Sequence, residues 1–521
     1  MVSLTVYDGA NGIGGNKIFV EDQGRGVFLD FGMNFSKNSA YYEEFLKPRP
    51  SRGIHDLLLL NFIPRLNIYR PDLVPADIAV DQFPSLNICA ALISHAHMDH
   101  MGYMGLLNEA IPVIGSCTTL ALMKAMQDTQ NQVFGSDVTY CTFKSRSGEE
   151  GFTLESKRDA PYVGRTLYST TEPCPGLVEF LNMRPTAPSS RKKFNPPPIQ
   201  CLSCGTLPFE ISAYPVDHSI YGATAFILEG TKSIAYTGDF RVHGKHADQT
   251  REFANRARGV DILITEGTRA GKEDAGNARG EVCPTSSVSE QSVYDTCRAV
   301  VDESSSLVIA DFSARNIERL EMFLDIAQKS GRSLVATAKD AYILQTLNHV
   351  EPVARLEEIL VYDALKAEKK SAWEELAVAS GGRLIGHREI SSAPESYVVC
   401  FSFYDMNHLL DISPDGGDYI YSSCEAFSEE MVIDFQRLWE WLKFFGMRVH
   451  GLEMVREPYG VKPKTVKGFH ASGHASREDL EEIITQIEPK VIIPVHTTGH
   501  QWFADTFEEV RVVQEGERLE L

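Results

Sequence analysis

The chain has little of several things, and each shortage removes a class of protein. Basic residues are outnumbered: 50 Lys and Arg against 71 Asp and Glu leave a formal charge of −21 over 521 residues. Bulk charge therefore does not make this a protein that coats nucleic acid. An enzyme that admits a strand to one metal-bearing cleft is still allowed, because bound cations can be the largest charges in a site. The start, MVSLTVYDGANGIGG, lacks a basic segment followed by an apolar one and does not read as a signal peptide. No apolar run is long enough to predict a membrane span. Ten cysteines are too dilute for a disulfide framework. The expectation is a soluble, reduced, cytoplasmic enzyme with no membrane partner.

With 43% hydrophobic residues the chain can bury a sizeable core, and its length suits several domain-sized units. The first hundred residues read as strand-rich, with short apolar runs at 17–20, 27–31 and 89–94. Helical patterning follows at 98–108 and 118–129. Residues 141–206 have few periodic runs and include RPTAPSSRKKFNPPP at 184–198, which predicts an irregular insertion. Strand signals return at 209–215, 223–228, 233–236 and 260–265. Beyond Pro284 helices alternate with apolar strands, which predicts a parallel sheet covered by helices.

The strongest chemical signal is ISHAHMDHMG, where His95, His97, Asp99 and His100 directly follow the apolar run AALIS. Three imidazoles and a carboxylate within six residues at a strand end offer nitrogen and oxygen ligands to two adjacent metals, a donor set that suits zinc. His218 after ISAYPVD, Asp239 after SIAYTG and His496 after KVIIPV repeat the form of a polar ligand at the end of an apolar strand. Asp30 ends VFLD, where a carboxylate can brace a neighbouring loop. His243, His246, His387, His450 and His500 read as structural or exposed.

LDFG at 29–32, HAHMDH at 95–100, His218 in VDHS and Asp239 in TGDF resemble the successive metal-site motifs of the metallo-β-lactamase superfamily. Glu266 in ITEGT, His474 in HASGHAS and His496 in PVHT resemble motifs A, B and C of its β-CASP nucleases. The α/β stretch between motifs A and B lies where that family inserts its β-CASP domain. GIGGNKI, LDFGMNF and HASGHAS are most similar to the ribonuclease J branch and its archaeal-type relatives.

The resemblance implies an α/β chain with a four-layer αββα metallo-β-lactamase fold carrying an inserted β-CASP α/β domain. The expected boundaries are 1–280 for the first part of the αββα domain, 281–446 for the insert and 447–521 for the remainder. One zinc would be held by His95, His97 and His218, and a second by Asp99, His100 and His496, with Asp239 bridging; manganese is the alternative ion. Asp99 would also orient the nucleophile, and His474, oriented by Glu266, would supply a proton. His470, Ser472 and Gly473 would hold a substrate phosphate.

The partner implied is single-stranded RNA, because His496 stands where the DNA-repair branches typically have valine. The segment 456–470, with four basic residues against one acid, could guide a phosphate strand. The activity implied is that of a zinc-dependent ribonuclease, a 5′-to-3′ exonuclease working in a cleft between the two domains. An RNA endonuclease of the 3′-end-processing type and an inactive RNA-binding paralogue are the alternatives, and a homodimer is left open. Thr497 and Thr498 depart from the residues usual after the motif C histidine. Cys201 and Cys204 in CLSC, with Cys141 and Cys174 upstream, read either as a structural zinc site or as unrelated thiols.

Overall fold

The computed structural model describes residues 1–43, 45–129, 135–184, 192–203, 207–271, 288–313, 315–351, 356–367, 370–379, 382–423, 429–457 and 460–521, with backbone alone at 356, 379, 429–432, 456–457 and 460–462. The chain divides into two compact units. One is formed by Met1–Val242, His246–Thr285 and His474–Leu521, the other by His243–Lys245 and Ser286–Gly473.

The first unit has two sheets. An eight-stranded sheet runs in the order Ile199–Cys201, Leu167–Ser169, Val113–Gly115, Ile88–Leu92, Arg25–Leu29, Lys17–Asp22, Val2–Asp8, Arg518–Glu520. A five-stranded sheet runs Glu210–Pro215, Thr224–Glu229, Ser233–Tyr236, Ile262–Glu266, Val491–Val495. Buried side chains from both, among them Leu4, Ile18, Val27 and Leu92 from the first and Phe226, Ile234, Ile264 and Val495 from the second, form one core. Alternation along each strand puts the other face of the second sheet, with Ala225, Ala235 and Leu263, against helices Ala247–Arg256, Arg477–Ile487 and His500–Thr506. Helix Cys117–Thr129 packs on the first sheet, with helix Pro175–Asn182 against it. The four layers are those of the expected αββα fold.

Three parallel strands carry much of the chemistry. Register pairs Tyr236 with Ile264 and Glu266 with Val495, so the carboxyl ends of neighbouring strands lie together. Asp239, Glu266 and His496 sit at or just beyond those ends.

Residues 141–206 differ from the expected irregular insertion. Leu167–Ser169 pairs in parallel with both Val113–Gly115 and Ile199–Cys201, extending the first sheet. Strands of three residues are too short to show a period, which is why the sequence pattern missed them. The helix predicted at 98–108 is one turn, Met98–Met101, followed by the 3-10 turn Met104–Leu106. A Cβ on the intervening Gly102 would come within 2.4 Å of the Met98 carbonyl oxygen, so the chain packs there too tightly for a continuous side-chain-bearing helix.

The second unit is a seven-stranded, wholly parallel sheet in the order Arg383–Ile385, Ile359–Tyr362, Ser333–Ala336, Tyr397–Cys400, Val308–Asp311, Gly417–Tyr421, Met447–His450. Helices connect the strands, as parallel pairing demands. The unit continues to Gly473 and does not end at 446. Met447–His450 is its edge strand, and the hairpin Leu452–Glu457/Gly460–Thr465 packs on helix Glu429–Phe444. No helix among the described residues is long and apolar enough to cross a membrane.

Candidate metal centre

Seven side chains of the first unit converge in two groups, His95 with His97 and His218, and Asp99 with His100, Asp239 and His496. Within each group one ligand atom per residue lies within 4.8 Å of every other. His95 Nε2 stands 3.0 Å from His97 Nδ1, and His97 Nδ1 stands 3.2 Å from His218 Nε2. Ligands at zinc distances in a tetrahedron are about 3.3 Å apart. In the second group His100 Nε2 is 3.0 Å from Asp239 Oδ2, and His496 Nε2 is 3.3 Å from Asp99 Oδ2. Asp239 Oδ2 is also 3.7 Å from His95 Nε2, so one oxygen reaches both groups.

The surroundings orient these atoms. Asp30 accepts from the Ser94 amide at 2.7 Å, the Ser94 hydroxyl at 2.7 Å and the Tyr236 hydroxyl at 2.6 Å, and it holds His100 Nδ1 at 2.7 Å. A carboxylate can only accept, so His100 carries its proton on Nδ1 and its Nε2 faces the site. Ser94 gives its one proton to Asp30 and receives His95 Nδ1 at 3.0 Å, which leaves His95 Nε2 likewise inward. The backbone is held under strain at two of these positions: Asp30 has φ +59° and His496 φ +53°, values uncommon outside glycine. Gly32 permits the closest approach. A Cβ there would lie 1.7 Å from the Asp99 carbonyl oxygen.

Electrostatics separate the two groups. Burial, with His100, His218 and His97 nearby, holds the His95 imidazole well below the usual histidine range, so it is neutral and can ligate. Burial also pulls His100 down, but Asp239, Asp30 and Asp99 outweigh it and hold His100 well above that range. For the same reason Asp99 and Asp239 lie below the carboxylate range, in spite of their burial, because His100 and His496 adjoin them. Three carboxylates around one buried imidazole create a demand for positive charge. Asp239 Oδ1, buried, has no hydrogen-bond partner among the described residues. The donor types, their spacing and this orphaned oxygen fit divalent cations.

Glu266 and His474 adjoin this cluster. Glu266, 1% exposed, accepts from the Phe240 amide at 2.9 Å and holds His474 Nδ1 at 3.0 Å. His474 Nδ1 is also 3.8 Å from Asp239 Oδ2. Burial pulls His474 down, but Glu266 and then Asp239 carry it up to about 9. Thr268, which sequence reasoning missed, donates to Glu266 Oε2 at 2.6 Å and meets His496 Nδ1 at 2.9 Å. One hydroxyl thus couples Glu266 to His496. Its only sequence signal is its place two residues after Glu266.

His470, Ser472 and Gly473 lie in the second unit, half-buried, in the irregular stretch before helix Arg477–Ile487. The carbonyl of neighbouring Phe469 accepts from Ser422 Oγ at 2.5 Å and from Arg319 Nη1 at 3.3 Å. Arg319, fully buried, bonds Glu290 at 2.6 Å. These anchors also escaped sequence reasoning.

Cys204 lies outside the described residues, and no cysteine joins a metal-type cluster among those described. Residues 458–459 and the side chains of 456–462 within the basic segment also lie outside them.

Residues 458–512 match the family model described as a Zn-dependent metallo-hydrolase RNA specificity domain, RMMBL. The chain is 21% identical over 516 residues to ribonuclease J of Pyrococcus abyssi, covering 95% of this chain and 90% of that one. It is 21% identical over 511 residues to ribonuclease J of Methanocaldococcus jannaschii, covering 95% and 91%. Among solved structures, a protein of unknown function from Enterococcus faecalis V583 superposes with a TM-score of 0.66 at 21% identity over the whole of both chains, which shows a shared fold.

Proposed function

We propose that the chain belongs to the ribonuclease J-like branch of the β-CASP metallo-β-lactamase hydrolases and is a zinc-dependent ribonuclease that hydrolyses single-stranded RNA as a 5′-to-3′ exonuclease. The observation that carries this reading is the convergence of seven ligand atoms in two groups sharing Asp239 Oδ2, with the Glu266–His474 pair alongside. His95, His97 and His218 would hold one ion, and Asp99, His100 and His496 the other. Divalent ions bound there, zinc or manganese, would supply water acidified to near neutrality and would offset charge on a phosphodiester oxygen.

The chain's own groups do the rest. Asp30 and Ser94 present the Nε2 atoms of His100 and His95 inward. Asp99, ionised beside His100, can accept a hydrogen bond from the attacking oxygen. His474, kept protonated at neutral pH by Glu266, can give a proton to the leaving oxygen. His470, Ser472 and Gly473 would hold a phosphate of the strand, and Arg319 and Ser422 would hold their loop in place. With a net charge of −21, binding should be weak, restricted to the site and sensitive to salt.

The test is incubation of 5′-labelled RNA, as the 5′-monophosphate and as the 5′-triphosphate, with and without a chelator. Mononucleotides released from the labelled end, abolished by chelation and by Asp99→Ala or His100→Ala, are expected. Longer labelled products would replace the exonuclease with an endonuclease. Activity on single-stranded DNA with none on RNA would overturn the substrate.

A further inference from the structure

A cavity of about 610 Å³ lies far along the sequence from the metal ligands, wholly within the second unit. It is lined by residues from the ends of five parallel strands: Val308–Asp311, Ser333–Ala336, Ile359–Tyr362, Tyr397–Cys400 and Gly417–Tyr421. The chain leaves Ser333–Ala336 toward the Arg383–Ile385 edge and leaves the adjacent Tyr397–Cys400 toward the Met447–His450 edge. Connections that part in this way open a crevice beyond the carboxyl ends of the strands, and in open parallel sheets that crevice is where ligands bind. The volume is in the usual range of small-molecule sites.

The lining has two characters. Two cations line the cavity, Arg315 in the segment after Val308–Asp311 and Lys339 in the first turn of helix Ala338–Asn348 after Ser333–Ala336, and burial together with the nearby Arg315 pushes the Lys339 amine down. Among the described residues Lys339 makes no ion pair, whereas Lys366 and Lys370 are engaged by Glu374 and Asp363. The two acids that act on Lys339, Asp340 and Asp405, are otherwise engaged. Asp340 and Asp405 are tied down as helix caps by Thr337 and Ser402. Burial raises Asp311 to about 7 and Asp340 to about 6, so each carries less than full charge near neutrality. Two adjacent cations, one of them unpaired, are matched by an anion. The second character is aromatic: Trp373, Phe403 and Tyr404 line the same cavity, and Tyr404 is 82% exposed, as a stacking platform must be.

We propose that this cavity binds a nucleoside monophosphate, with its phosphate on Arg315 and Lys339 and its base against Trp373, Phe403 and Tyr404. The same chemistry is offered by a free nucleotide and by the terminal nucleotide of an RNA strand. The site does not depend on the metal centre, so its test separates from that of the ribonuclease reading.

The full-length chain is titrated by calorimetry with AMP, GMP, CMP and UMP, with the matching nucleosides and with inorganic phosphate. Saturable one-to-one binding of at least one monophosphate is expected, with its nucleoside and phosphate each at least tenfold weaker. Lys339→Ala should weaken it at least tenfold, Lys339→Arg should restore most of it, and Asp99→Ala should leave it unchanged. Trp373→Leu gives an independent loss should Lys339→Ala melt early. Displacement by a short 5′-phosphorylated RNA assigns the site to the strand, and failure to displace assigns it to the free nucleotide. Absence of saturable binding to the wild-type chain, or wild-type affinity in a folded Lys339→Ala, overturns the proposal, as does loss of binding in Asp99→Ala.

Discussion

Thr268 offers the sharpest test of how the metal centre is built. Its hydroxyl has one proton, which goes to Glu266 Oε2 at 2.6 Å because a carboxylate can only accept. The oxygen's lone pair then receives His496 Nδ1–H at 2.9 Å, which leaves the Nε2 lone pair facing Asp99 Oδ2 and the proposed position of the second cation. Thr268→Val keeps the shape and removes that hydroxyl in a site only 9% exposed. The imidazole N–H is then buried without a partner, at a cost of about 1–3 kcal/mol. Its ring is freed to take the other tautomer, whose Nε2–H cannot ligate. Losing such a supporting contact typically lowers metal affinity about 10- to 100-fold, which is about 1.4–2.7 kcal/mol and agrees with the first figure. Competition against a fluorescent zinc chelator measures it directly. One of the two ions should weaken by this factor, the other should change little, and Thr268→Ser should recover. If folded Thr268→Val binds both ions within twofold of the wild type, the hydroxyl does not set the tautomer and the reasoning fails.

Asp30→Asn should cost the second ion more severely. The Ser94 amide requires an acceptor at Oδ1, so the new NH2 must occupy Oδ2 and face His100 Nδ1, turning Nε2–H toward Asp239; metal content by mass spectrometry near one ion per chain is the expected result. Gly32→Ala would place a Cβ 1.7 Å from the Asp99 carbonyl oxygen, so the ligand loop must move by more than an ångström; activity on RNA should fall about 100-fold or more, and an active, stable variant would refute the packing argument. Asp311→Asn tests the second unit. Burial raises Asp311 to about 7, so the folded state holds a proton that the unfolded chain has lost, and this contribution is present at low pH and disappears as pH rises through about 7. Between pH 5.5 and 8 the wild type should lose about 2 kcal/mol relative to the variant, read by urea unfolding with tryptophan fluorescence; a difference flat with pH would sink the assignment.

The parts legible in the sequence were those where chemistry allows few residue types. The proposed dinuclear site needs imidazole and carboxylate donors at strand ends, so His95, His97, Asp99, His100, His218, Asp239 and His496 stand out as candidates by type and position, and in the structure they converge in two groups that could each hold a metal ion. The long buried strands and the helix–strand alternation after Pro284 were legible because burial leaves a period. Three-residue strands such as Leu167–Ser169 leave none, and the extension of the second unit to Gly473 depends on an edge pairing that local sequence does not encode.

By itself, then, the sequence determined the candidate donor set, the αββα scaffold and the excess of acid. Tertiary structure alone decided which nitrogen of each imidazole points inward, because that depends on single hydroxyls and carboxylates brought from distant segments: Asp30 to His100 and Thr268 to His496. It alone brought Arg315, Lys339 and Trp373 to one cavity at the strand ends. A lone threonine or lysine carries no pattern in a sequence; it acquires a role only when folding removes water from around it and leaves one partner within reach.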